Sequence, residues 1–149
     1  MMQRKNPGNT LARLSCDSGG SAIVEFGLLA PFLIMMMLAV LQLGVAMQQY
    51  NALRSIAGDV ERYAVVNYQT NNKISTDQLA TYTQSVATNT PYNIQRTGLR
   101  ITVTQPVTQR VSGATEYSLS IRAQVTSLLG MIGINDYYIY YTRPIFVLS

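Results

Sequence analysis

The feature that most constrains this chain is a run of 28 positions, Phe26 to Leu53, without a single charged residue. Its densest part, Phe26 to Met47, reads FGLLAPFLIMMMLAVLQLGVAM. About 20 apolar residues in a helix cross the roughly 30 Å hydrocarbon core of a bilayer, so the run is long enough to span with some left for tilt. A helix on the surface of a soluble domain keeps a polar stripe. Here none interrupts the run before Gln42. The segment therefore predicts a membrane span rather than a core helix. It is also far longer than the apolar region of a cleaved secretory signal, about 7–15 residues, and no small-x-small cleavage site closes it. Cys16 precedes the run, whereas a lipoprotein signal would place its cysteine after it. The span is expected to be retained.

Charge orients it. The stretch Met1–Gly20 carries Arg4, Lys5 and Arg13 against Asp17, while Arg54, Asp59, Glu61 and Arg62 cancel on the far side. Positive charge stays on the cytoplasmic side. The expectation is a single-pass inner-membrane protein with a cytoplasmic N-terminus and an exported C-terminal part. Composition thins out the chemistry. Charged residues are 12 % of the 149, about half the usual share of roughly 25 %. With no histidine, His-based triads and imidazole metal sites are excluded. A lone cysteine forms neither an intrachain disulfide nor a zinc cluster. The exported carboxylates Asp59, Glu61, Asp77, Glu116 and Asp136 sit in no catalytic motif, and Asp59 and Glu61, two apart on a helix, do not share a face. Basic residues form no cluster, so nucleic acid is not an expected partner. No enzyme activity, cofactor or metal is expected.

Glu25 is the oddity, an acid at the mouth of the apolar run, behind Gly19, Gly20, Ser21, Ala22, Ile23 and Val24. On composition alone it sits at headgroup level and interacts with the helix N-terminal dipole, a gain of about 0.3–1 kcal/mol. Spacing offers a second reading. A cut between Gly20 and Ser21 would create an α-amine four residues before Glu25, one helical turn away and on the same face. In a bundle each carboxylate would equally reach a neighbour's amine, and such pairing would select the axial register.

The string GGSAIVEF resembles the cleavage site of type IV prepilins, with Gly20, four residues, Glu25 and then the aromatic Phe26. The longer stretch SAIVEFGLLAPFLIMMMLAVLQLG is similar to the start of TadE-like pseudopilins of the tight-adherence pilus system. The likeness continues through NALRSIAGDVERYAVV and covers about Gly19 to Val66. Where that family often has an acid near the far end of the span, this chain has Gln42. The resemblance implies processing at Gly20–Ser21 by a prepilin peptidase, with Glu25 and Phe26 completing the site. It implies helix packing around Pro31, Gln42 and Gly44, with other pilins and pseudopilins, an inner-membrane assembly platform and the lipid bilayer as partners. The mature chain would start at Ser21 and lack Cys16.

Pro31 removes one helix hydrogen bond, which membrane helices tolerate. Met35–Met37 read as soft packing material rather than a metal site. Beyond Met47, Tyr50, Leu53, Ile56, Ala57, Val60, Tyr63 and Ala64 recur at three and four residues, the stripe of an amphipathic helix. One helix is therefore expected over 21–66, membrane-spanning in its first half, behind a removed leader 1–20 and ahead of an exported domain 67–149. From Val66 to Ser127, 30 of 62 residues are Asn, Gln, Ser or Thr, a composition suited to a secreted surface. Ser75 and Gln78 suggest a capping box. Leu79, Tyr82 and Val86 then suggest a short helix ending before Pro91. Leu99, Ile101 and Val103 alternate with polar residues as a half-buried strand. A turn at Ser112–Gly113 leads to a second strand with Tyr117, Leu119, Ile121, Ala123 and Val125 inward. Leu128–Ile134 reads as an apolar loop tucked into the core rather than a contact patch. Tyr137–Phe146 forms a third strand, with Pro144 pushing its end toward an edge. The tyrosines Tyr137, Tyr138, Tyr140 and Tyr141 read as wetted strand residues, with an aromatic recognition surface as the alternative.

The expected fold class is α+β and pilin-like, a long N-terminal helix beside a small antiparallel sheet of about three strands and a short second helix. The expected function is that of a minor pseudopilin that helps initiate or assemble a pilus used in surface adherence and biofilm formation. The competing reading is a signal-anchored envelope binding protein that never polymerises.

Overall fold

The structure is a computed structural model and describes residues 19–70, 72–130 and 133–148. Most of the basic leader, and Met131 and Ile132 of the apolar loop, lie outside the described residues. The chain divides into two compact units, one ending at Val40 and one running from Leu41 to Ser149.

Helix α1 spans Gly19–Gln69. It begins two residues earlier and ends three later than the periodicity indicated. Pro31 lies inside without ending it. Among the described residues of the first unit no other element covers α1, and Ile23 and Leu28 are each 75 % exposed. Over Gly20–Gln69 this is a helix long and apolar enough to cross a membrane, its most apolar 18-residue window having a mean hydropathy of 2.3.

In the second unit α1 buries most of the expected stripe, with Tyr50 exposed and Tyr63 half-buried. Leu53, Ile56, Ala57, Val60 and Ala64 are at most 1 % exposed. They recur at three and four positions, so their side chains stand on one face. Helix α2 (Thr76–Thr88) opens with the predicted capping box. The Gln78 amide N–H donates to Ser75 Oγ at 3.2 Å, and the Ser75 N–H donates back to Gln78 Oε1 at 3.0 Å. Its buried stripe is Leu79, Thr83 and Ala87, with Tyr82 and Val86 half-buried beside it. The expected apolar face thus rotates slightly, because the Thr83 hydroxyl satisfies itself on Leu79 O at 2.7 Å and enters the core. Tyr82 stacks on Tyr63 of α1, ring centroids 3.7 Å apart.

A short 3-10 turn (Arg96–Gly98) leads into the sheet of β1 (Arg100–Thr104), β2 (Ala114–Val125) and β3 (Tyr137–Leu148). The order is β1-β2-β3, all antiparallel. Period-two alternation decides the faces. Leu119, Ile121, Ala123, Ile145 and Val147 join the helical stripes in one core. Pro144 does not end β3, which pairs on to Leu148 opposite Ala114. An edge strand tolerates proline because a missing donor there costs no ladder bond. In the apolar loop Leu129 is 9 % exposed, but Leu128 and Ile134 are each 47 % exposed. Of its described apolar residues only Leu129 is tucked in, which corrects the expectation of a wholly buried loop.

Polar ties hold the connections. Tyr117 OH donates to Ile74 O at 2.9 Å and meets Tyr68 OH at 2.8 Å. Burial, then the bond to Tyr68, pushes the Tyr117 phenol far above its usual range. Glu116, 2 % exposed, forms an ion pair with Arg110 of the β1–β2 connection and takes Arg110 Nε–H at 2.8 Å. That hydrogen bond, against the opposing effect of desolvation, holds the Glu116 carboxyl below its usual range.

Two stability outcomes follow. A Cβ on Gly98 would stand 2.3 Å from Gln124 Cβ, whereas one on Gly58 of α1 meets nothing within 4 Å. Gly98→Ala should cost about 1–3 kcal/mol by overpacking. Gly58→Ala should instead gain about 0.5–1 kcal/mol of helix stability. Chemical unfolding of the full chain in non-ionic detergent measures both, and equal effects would contradict this packing. Because the folded-state pKa of Glu116 is depressed, its contribution is full above the ordinary value of 4.5 and is lost as pH falls through the folded value. The stability gap between parent and Glu116→Gln should be widest near neutrality and close in acid.

Candidate functional site

The residues expected to form a processing site lie together at the start of α1. Gly20 has open space around it, and Ser21, Glu25 and Phe26 are exposed, Phe26 by 68 %. Ser21 Oγ donates to Glu25 Oε1 at 3.0 Å. Positions 21 and 25 therefore share a face of the helix, as the four-residue spacing requires. The geometry places whatever group stands at residue 21 beside the carboxylate. Pro31 falls in the same uncovered stretch, and Gly44 has nothing within 4 Å of where a Cβ would stand.

Gln42 behaves differently. It is 7 % exposed, and its amide is engaged by the connection between β2 and β3 and by the first residue of β3. Nε2 donates to Thr126 O at 3.3 Å and to Tyr137 OH at 3.1 Å, while Oε1 accepts the Leu128 N–H at 2.8 Å. An amide offers donors and an acceptor at once. A carboxylate here would keep the Leu128 contact and lose both donations. The sequence singled out Gln42 as a helix-packing residue. Its use as a clasp on a backbone segment more than 80 positions away had no sequence signal beyond being the first polar residue in an apolar run.

The tyrosine cluster is divided by strand period. Tyr137 and Tyr141 face α1, Tyr137 through Gln42 and Tyr141 through an edge contact with Tyr50 at 5.6 Å between centroids. Tyr138 and Tyr140 face the other way and are 43 % and 61 % exposed.

The carboxylates of the second unit are mostly engaged in structural contacts. Asp59 accepts Tyr92 OH at 2.9 Å, Glu61 pairs with Arg143, and Glu116 with Arg110. Asp136 accepts Gln124 Nε2 at 2.9 Å and the Ser127 N–H at 2.8 Å. A groove of about 650 Å³ is lined by Gln48, Gln49, Tyr92, Gln95, Gln124 and Asp136 among others. Gln49 Oε1 is buried without a partner, but Asp136 is the only carboxylate in the groove lining. Among the described residues no three acidic or cysteine side chains gather as a metal site would need.

No curated protein and no solved structure matched the chain. One family model did, described as TadE-like protein, over residues 20–62. The match starts at Gly20, takes in Glu25, Phe26, Pro31, Gln42 and Gly44, and ends within the buried stripe of α1. Over residues 20–62, then, this chain matches the TadE-like protein family, the resemblance its first apolar helix had suggested.

Proposed function

We propose that the protein is a minor pseudopilin of a tight-adherence pilus, held in the inner membrane by α1 until an assembly platform draws it into a fibre. The observation that carries this reading is the pairing of an uncovered apolar helix with a carboxylate, Glu25, one turn after the Gly20–Ser21 junction. Ser21–Leu41 supplies 21 residues ahead of the Gln42 clasp. At 1.5 Å per residue they extend about 32 Å, close to the hydrocarbon thickness. Residues 67–149 then form the exported part, and removal of residues 1–20 by a prepilin peptidase frees the amine that Glu25 requires. A carboxylate without a mate resists burial in a helix bundle, and an amine on the same face, its own or a neighbour's, offsets that cost. Partners on this reading are the peptidase, other pilins through the exposed face of α1, and the platform. The chain's contribution to adherence and biofilm formation is structural, and the engaged carboxylates support a non-catalytic role.

Intact-mass and N-terminal analysis of protein taken from native membranes should find a chain beginning at Ser21. A mature protein retaining residues 1–20 would remove the role given to Glu25. Glu25→Ala should abolish piliation while leaving the protein in the membrane fraction. Piliation at parental level would favour a simple envelope anchor instead.

Gln42 supplies a separate check on where the exported domain closes on the helix. Gln42→Glu should cost about 1–3 kcal/mol near neutrality, since Thr126 O and Tyr137 OH lose their donor. Part of that loss should return in acid, where a protonated carboxyl donates again. A Gln42→Glu protein as stable as its parent in detergent unfolding would show that the clasp contributes nothing.

A further inference from the structure

The face of the sheet turned away from α1 holds a juxtaposition that the pseudopilin reading does not use. In the β1–β2 register Arg100 lies directly opposite Arg122, and Arg122 lies directly opposite Tyr140 on β3. Residues paired across strands project on the same face. The row Arg100–Arg122–Tyr140 is therefore continuous across all three strands. Tyr138 stands beside it, its ring centroid 4.4 Å from the Arg122 guanidinium carbon. The neighbouring row is Thr102, Ser120 and Thr142, with Ser120 and Thr142 bonded at 3.1 Å.

Like charges directly opposed across strands are destabilising, and neither arginine has an ion-pair partner among the described residues. Arg122 Nε is buried without a hydrogen-bond partner. Two carboxylates lie nearby. Asp136 is already bonded to Gln124 and Ser127. Asp77 shares a shallow groove with Arg100 but forms no ion pair with it. The other end of the same face is closed differently, since there Glu116 neutralises Arg110, which stacks over Phe146. Two unneutralised guanidiniums thus stand in the open half of the face, bordered by two exposed tyrosine rings and a row of hydroxyls.

We propose that this open face binds an acidic polysaccharide, a polymer of uronic-acid units. Each part of the face matches one part of such a ligand. The guanidiniums offer planar, paired donors to carboxylates. The exposed ring of Tyr140 offers a flat apolar platform for the face of a pyranose ring, while Tyr138 lies against the Arg122 guanidinium. Thr102, Ser120 and Thr142 offer hydroxyls to sugar hydroxyls. The rows run across all three strands, which fits a chain laid along them rather than a small molecule enclosed by them. A carboxylate placed over Arg100 and Arg122 would also relieve their mutual repulsion. The proposal deepens the pseudopilin reading by naming what its exported domain touches, and it depends on residues 67–149 being exported. The binding test below does not.

The test uses the full-length protein in non-ionic detergent, immobilised and titrated with polygalacturonate, neutral dextran and single-stranded DNA. Polygalacturonate should bind and dextran should not. Arg100→Gln with Arg122→Gln should weaken binding about tenfold or more, the scale expected from losing two charge-assisted contacts. That double variant should melt no lower than the parent, because an opposed like-charge pair has been removed. Tyr140→Ala should weaken binding and Tyr140→Phe should preserve it, since the ring and not the hydroxyl makes the platform. Lys73→Gln, an exposed cation elsewhere, should leave it unchanged. The proposal falls if polygalacturonate does not bind, if the double variant or Tyr140→Ala binds like the parent, if Lys73→Gln weakens binding equally, or if single-stranded DNA binds as tightly as the uronate polymer. A failure of processing at Gly20–Ser21 would leave these binding results standing, so the two readings fail separately.

Discussion

A helix with apolar side chains on every side must find a non-aqueous cover, and this constraint organises the rest of the molecule. Up to Val40 the described residues of the first unit hold no second element to cover α1. From Leu53 to Ala64 one stripe of α1 is covered by α2 and the inner face of a three-stranded sheet. Between these regimes stands Gln42, whose amide fixes the β2–β3 connection against the helix through three hydrogen bonds. The backbone groups at Thr126 and Leu128 cannot leave water without partners. Gln42 provides them near the start of the second unit.

The sheet answers to the same demand with the opposite outcome on its two faces. The inner face is nearly all apolar and closed by helices. The outer face keeps water, and its charges are settled locally only at one end, where the β1–β2 connection brings Arg110 to Glu116. The charge-poor composition makes this asymmetry consequential. With so few acids available, four of them spent on Tyr92, Arg143, Arg110 and the Asp136 turn leave Arg100 and Arg122 without a countercharge. A face with unneutralised cations and exposed rings is a surface prepared for something outside the chain.

Much of this was legible in the order of residues, for identifiable reasons. The apolar run, the three-and-four spacing of Leu53 to Ala64, the Ser75–Gln78 capping box and the alternation in β2 are all local patterns, and each appears where its period indicated. The likeness to TadE-like proteins from Gly20 onward rests on such a local pattern too. What escaped were decisions made by distant neighbours. Thr83 enters a core that the apolar count had reserved for Tyr82, because its hydroxyl could bond to its own helix. β3 runs two residues beyond the expected end at Phe146, because β2 keeps pairing with it as far as Ala114 opposite Leu148. The loop after β2 exposes Leu128 while burying Leu129.

The sequence by itself determined that one helix is too apolar for water, that a carboxylate stands one turn from Gly20–Ser21, and that the remainder alternates into three strands. These are properties of nearest neighbours and helical turns, and a linear string records them in full. Only the tertiary structure decided that Gln42 faces inward, that the four clustered tyrosines divide between two faces, and that Arg100 and Arg122 stand opposite one another. Those outcomes depend on strand register and on which backbone groups remain to be satisfied after folding. Register here joins residues 12 to 34 positions apart, distances over which hydropathy and spacing carry no information.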